Sequence, residues 1–137
     1  MKTSFTTKNT KGTKMEFDAR SKRVIGLAIE VHRELGPGLL ESAYEKCLAH
    51  ELKEHGVECM TQISLPVAYK GLSLDCGYRV DMIVEGRLIV ELKSVDSLQP
   101  IHEAQLLTYM KLANIGTGLL INFNTGLLKN GIKRFVL

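Results

Sequence analysis

No stretch of this 137-residue chain is long and apolar enough to cross a membrane. Its uncharged runs fall far short of the ~18 consecutive apolar residues that a spanning helix needs. The N-terminal stretch MKTSFTTKNTKGTK carries lysines with no apolar segment behind them, so a signal peptide is not expected. Cysteines are few and odd in number, Cys47, Cys59 and Cys76, and no CxxC spacing links them. That argues against a disulfide framework and against a zinc site. The expectation is three reduced thiols in or near the core of a cytoplasmic protein. No internal repeat or low-complexity core is visible. A broad basic surface is missing as well. Residues 1–23 hold seven Lys/Arg against two acids, Glu16 and Asp18, while residues 24–137 hold eleven against thirteen. The body is therefore slightly acidic and lacks the wide positive footprint of a strong nucleic-acid binder.

What is present is an ordinary composition, 45% hydrophobic and 24% charged, enough to bury one core. Residues 1–17 are Thr/Lys/Asn-rich with no periodic apolar positions, and they read as a disordered basic tail. Residues 18–137 read as a single domain. Val24, Ile25, Ala28, Ile29, Val31 and Leu35 recur at helical spacing until Gly36-Pro37-Gly38 stops the helix. A second helix is expected from about Leu40 to His55, with Ala43, Tyr44, Cys47, Leu48 and Leu52 inward and Gly56 after its end. Strand-like segments follow: Val57 to Leu65, with Val67 to Tyr69 extending it past Pro66, then Leu72 to Cys76, Tyr78 to Val84 and Arg87 to Lys93. Pro100 opens a third helix to Ala113, and strands from Gly118 to Phe123 and from Ile132 to Val136 close the chain, with Asn130-Gly131 turning it before the last. The order predicts an α/β fold, a mixed central sheet flanked by helices.

The strongest chemical signal is Asp81 followed by Glu91-Leu92-Lys93, two acids and a lysine in strands that otherwise want apolar residues. Divalent-metal chemistry on phosphodiesters needs converging hard oxygens, and a lysine nearby can orient water and stabilise developing charge. Register decides whether the acids meet. Val80, Met82, Val84, Leu88, Val90 and Leu92 are all apolar. If they share one face, Asp81, Ile83, Ile89, Glu91 and Lys93 share the other. That requires an odd connection, such as a three-residue loop at Glu85–Arg87 or a bulge, because a two-residue turn would set Asp81 and Glu91 on opposite faces. Among the remaining polar residues, Glu41 suits a helix N-terminus. Gln105 and Tyr109 share a face of the third helix. His32 suits a helix face or a partly buried position, Arg79 points away from Asp81 by alternation, and His50 and His55 suit solvent. His102 is close enough in sequence to Gln105 to approach a site there.

Gly38-Leu39-Leu40-Glu41-Ser42-Ala43-Tyr44 resembles the signature of the GxxExxY protein family, a branch of the PD-(D/E)XK nuclease superfamily. The resemblance continues through Gly36-Pro37-Gly38, Tyr78-Arg79-Val80-Asp81, Val90-Glu91-Leu92-Lys93, His102-Glu103-Ala104-Gln105, Tyr109 and Leu120-Ile121-Asn122-Phe123, and it covers residues 20–137. It implies a restriction-endonuclease-like core and a Mg²⁺- or Mn²⁺-dependent deoxyribonuclease. Asp81, Glu91 and the Leu92 carbonyl would hold the metal, Glu41 would assist, and Lys93 would be the catalytic lysine. Gln105 and Tyr109 resemble a Q-x-x-x-Y element that lies beside the site and contacts DNA. Two other readings stay open: a binding or regulatory module that keeps the nuclease fold without efficient turnover, and an enzyme acting on a different phosphate substrate. A two-fold homodimer, placing two sites on one duplex, suits so small a body.

Overall fold

The computed structural model describes residues 7–9 and 18–137. Helix α1 spans Ala19–Leu35. It starts where the Asp18 carboxylate accepts the Ser21 N–H at 2.7 Å, and it ends at Gly36, whose φ of 70° suits glycine and whose N–H returns to the His32 carbonyl. Helix α2 spans Glu41–Glu54 and buries Tyr44, Leu48 and Leu52 along one stripe. The strands are β1 (Thr7–Asn9), β2 (Cys59–Ser64), β3 (Val67–Tyr69), β4 (Leu72–Leu74), β5 (Arg79–Val84), β6 (Leu88–Lys93), β7 (Thr117–Asn122) and β8 (Ile132–Val136). Helix α3, Pro100–Ala113, bridges β6 and β7, and a 3₁₀ turn at Leu128–Gly131 precedes β8.

Six strands form one mixed sheet in the order β1-β8-β7-β6-β5-β2. The β6–β7 and β1–β8 pairs are parallel and the others antiparallel. Apolar residues on its two faces build two cores. Val24, Ile25, Ala28, Tyr44, Leu48 and Leu52 of α1 and α2 pack with Met82, Val84, Leu88, Val90, Leu92, Leu119 and Ile121. Leu106, Tyr109 and Met110 of α3 pack with Ile83, Ile89, Leu120 and Phe135. The protein is thus a helix–sheet–helix sandwich of the restriction-endonuclease-like kind. At Gly118 an added Cβ would lie 2.6 Å from Met110 Sδ and 3.0 Å from Leu106 Cδ1, so the glycine is what lets α3 settle against β7. Asp18 also joins the start of α1 to β8, accepting from Arg134 Nη2 at 2.6 Å. Burial alone would raise its carboxyl pKa, but the Ser21 N–H and the Arg134 guanidinium outweigh that and hold it below the ordinary value.

The expected elements are all present, with four differences. Val67–Tyr69 does not extend β2; it pairs with Leu72–Leu74 in a separate two-stranded sheet. Pro66, lacking an N–H, ends the ladder where the extension was expected. Cys76 is exposed, lying in the connection beyond that hairpin, whereas Cys47 and Cys59 are half-buried. Val80 belongs to the α3-side core with Ile83 and not to the set of Met82 and Val84. Finally, Thr7–Asn9 pairs in parallel with β8, within the segment expected to be irregular. Ladder bonding at a sheet edge uses only backbone groups and needs no apolar side chain. The rest of the expected tail, residues 1–6 and 10–17, lies outside the described residues.

Candidate active site

The β5–β6 connection settles the parity question. Val84 pairs with Leu88 and Met82 with Val90, so the loop is the three residues Glu85, Gly86 and Arg87. Arg87 N–H donates to the Val84 carbonyl at 3.0 Å, closing a turn in which Glu85 and Gly86 take φ of 52° and 66°. One step past Met82 and Val90, Asp81 stands across from Glu91, and there side chains take over the pairing. The Asp81 N–H donates to Glu91 Oε1, and the Leu92 N–H donates to Asp81 Oδ2, each at 2.9 Å. The two carboxylates are thereby held next to each other, in the middle of the sheet.

Their surroundings differ. Glu91 is 4% exposed. Its carboxyl is pushed up to about 8, by burial first and then by the Asp81 charge, against the opposing effects of the Asp81 N–H and the Lys93 ammonium. Lys93 Nζ donates to Gln105 Oε1 at 3.3 Å, and Gln105 Nε2 donates to the Tyr109 hydroxyl at 3.1 Å. Tyr109 is buried on α3, and its pKa is raised by burial and then by the Glu91 charge. The spacing of Gln105 and Tyr109 therefore has a structural consequence: together they form a polar chain running from Lys93 along the inner face of α3.

Asp81 also opens onto the other side. With Glu41, Ser42, Glu45, Gln62 and Leu92 it lines a cleft of about 180 Å³ beside α2. Glu41, the first residue of α2, accepts from the Ser94 N–H at 3.4 Å. Glu41 and Asp81 thus share a cleft, while Glu91 and Lys93 face α3, with Asp81 the residue common to both. Two cleft residues, Gln62 and Glu45, lie outside the set expected from the sequence. Gln62 Nε2 donates to Glu45 Oε1 at 2.6 Å and reaches Asp81 Oδ1 at 3.4 Å. Its φ of 53° interrupts β2 opposite Asp81. Glu45 lies one helical turn after Glu41, and that i,i+4 spacing could have paired them on one face.

The remaining histidines are accounted for structurally. His102 Nδ1 accepts the Gln99 N–H at 2.9 Å, a capping contact at the start of α3. His32 is buried, with Nε2 2.8 Å from the Thr125 carbonyl. His50 and His55 are exposed. Arg79 is exposed and reaches the Gln62 carbonyl at 3.5 Å.

Among the described residues, no three His, Cys, Asp or Glu side chains are gathered closely enough to hold one metal ion. The donors present are two adjacent carboxylates with an ammonium nearby. That set fits Mg²⁺ or Mn²⁺, which takes one or two protein carboxylates and fills the rest of its shell with water or a phosphate oxygen. It does not fit zinc or copper, which favour thiolate or imidazole.

A family model, that of the PD-(D/E)XK nuclease superfamily, matches residues 18–135. No curated protein and no solved structure matches the chain. Among the described residues, no helix is long and apolar enough to cross a membrane.

Proposed function

The chain belongs to the PD-(D/E)XK nuclease superfamily, and we propose that it hydrolyses DNA phosphodiester bonds in a reaction dependent on Mg²⁺ or Mn²⁺. The observation that carries this reading is the Asp81–Glu91 pair, set side by side by a three-residue loop and completed by Lys93 two residues after Glu91. Asp81, Glu91 and the Leu92 carbonyl would hold the ion, with Glu41 reaching it from α2. Bound there, the ion supplies charge stabilisation at phosphorus and an acidified water. Lys93 would steer the attacking water and stabilise charge as it develops on the phosphoryl oxygens. Gln105, the hydrogen-bond acceptor of its ammonium, would fix where it points. Tyr109 would hold the Gln105 amide in turn, and both would border the bound strand. The finer placement in the GxxExxY branch is supported by Tyr44, which donates to the Gly36 carbonyl at 2.6 Å and accepts from the Leu39 N–H at 3.1 Å. The signature's Tyr thus anchors the turn that delivers its Glu.

A second reading, a nucleic-acid-binding or regulatory module without turnover, draws on the excess of acids over bases in residues 24–137. A two-fold homodimer would enlarge the small DNA-facing surface in either case.

The deciding experiment is a cleavage assay on purified protein. DNA should be cut with Mg²⁺ or Mn²⁺ and spared with EDTA, and Lys93→Ala should lower the rate on the order of 10² or more without abolishing ion binding. Asp81→Asn should weaken Mn²⁺ binding itself, since it replaces a charged hard ligand by a neutral one. Equal trace activity in wild type and Lys93→Ala would mark that activity as contamination and put the non-catalytic reading ahead.

A further inference from the structure

We infer that Ser94 is a positioning residue: it ties the N-terminus of α2, and with it Glu41, to the strand that carries Glu91 and Lys93, while Asn122 holds the next residue, Val95, from the other side. The inference rests on reading the acidic pair as a divalent-metal site.

Ser94 directly follows Lys93, where β6 ends. Its Oγ donates to the Leu39 carbonyl at 2.7 Å, and its N–H donates to Glu41 Oε1 at 3.4 Å. The turn it grips, from Gly36 to Leu40, is closed at its other end by the Tyr44 hydroxyl. Tyr44 is fully buried, and its ring stacks on Phe123, centroids 4.3 Å apart and 13° from parallel. The turn is therefore fixed at two points, one through the β7 end and one through Ser94 alone.

On the far side, Val95 is held by Asn122, which is 4% exposed. The Val95 N–H donates to Asn122 Oδ1 at 3.1 Å, and Asn122 Nδ2 donates to the Val95 carbonyl at 2.9 Å, so one amide satisfies both polar groups of that residue. Lys93 pairs with Asn122 in the parallel register, and the Phe123 N–H donates to the Lys93 carbonyl at 2.9 Å. Asn122 thus prolongs the β6–β7 ladder by a side chain after the backbones part, and presents Ser94 to α2 at a defined height.

The consequence concerns Glu41. It is exposed at the first position of its helix, where a glutamate has many rotamers. Ser94 supplies one of the two points that hold the helix end and gives the carboxylate a hydrogen-bond partner. Partners that orient metal ligands typically change metal affinity by 10–100-fold when lost. Ser94 makes one such contact by its hydroxyl and one by its backbone, of which a substitution removes only the first.

The test is calorimetric titration of the full chain with MnCl₂ alone, which needs no turnover. Ser94→Ala should weaken Mn²⁺ binding by roughly tenfold and Ser94→Thr should restore it. In a Glu41→Gln background, Ser94→Ala should cause no further loss, because it acts through Glu41. Ser94 is partly exposed, so this substitution spares the fold, whereas Asn122→Ala would strand the Val95 peptide groups. A Ser94→Ala protein that binds Mn²⁺ as tightly as wild type overturns the inference, and so does an equal additional loss in the Glu41→Gln background. Wild-type protein that takes up no Mn²⁺ overturns the reading of the site, and the inference with it.

Discussion

Both β3–β4 and β5–β6 turn on a charged residue followed by glycine, Lys70-Gly71 with φ of 46° and 84°, and Glu85-Gly86 with φ of 52° and 66°. In the first, Tyr69 pairs with Leu72 across a two-residue loop. In the second, Val84 pairs with Leu88, and Arg87 is a third loop residue. Among the described residues the first hairpin joins no other strand, and it leaves Tyr69, Leu72 and Leu74 exposed. The second lies between β2 and β7 with its apolar side chains buried. Local turn chemistry is nearly the same in the two. What differs is the parity of the loop and the supply of neighbours. Parity decides which side chains face each other, and neighbours decide whether a carboxylate there is desolvated enough to need a cation.

The most direct way to break the comparison is to remove Arg87. A two-residue Glu85-Gly86 loop would put Asp81 and Glu91 on opposite faces, or shift the whole apolar set of β6. Mn²⁺ binding should fall by on the order of 100-fold or more and the melting temperature should drop, whereas deleting Gly71 should leave Mn²⁺ binding unchanged. Retention of tight binding without Arg87 would show that parity is not what unites the acids. Burial can be tested next. Leu88→Ala should cost about 2–5 kcal/mol in denaturant unfolding, the range for large-to-small changes in a packed core.

The buried acid gives a pH signature. Glu91 is held up to about 8 when folded, against an ordinary 4.5 when unfolded. Between these values the folded state keeps a proton that the unfolded state has lost. Its stabilising contribution is thus complete below about 4.5 and is lost as pH rises through about 8. Metal-free protein should lose on the order of 10 °C or more in melting temperature over that window, and Glu91→Gln should flatten the profile. A wild-type profile as flat as that of Glu91→Gln would mean the carboxyl is not held protonated. The smallest effect belongs to the exposed hairpin: Leu72→Ser should change stability by no more than about 0.5 kcal/mol.

Much of the site was readable before folding was considered. Alternation through Met82, Val84, Leu88, Val90 and Leu92 required an odd loop, and that loop is there. Val80 broke the pattern because the ladder opens at Asp81, where carboxylates replace backbone partners. Gln62 was invisible, since nothing in the run Cys59–Ser64 distinguishes a strand residue whose φ turns positive. The role of Asn122 has no signal in the sequence, because its partner Val95 lies in a loop with no periodicity. Tyr109 is only 6% exposed, because α3 lies down over β6 and β7 at Gly118.

By itself the sequence determined most of the elements from α1 onward, their order and the odd loop between β5 and β6. Those depend on short-range periodicity, caps and loop length, which act over a few residues. Tertiary structure alone decided which distant groups complete the site: Lys93 on Gln105, Gln62 between Glu45 and Asp81, and Glu41 at Ser94. These are contacts between elements 12 to 53 residues apart. They exist because two helix layers bury apolar stripes on opposite faces of one sheet, and polar residues at the stripe ends are carried to the place where β5 and β6 part.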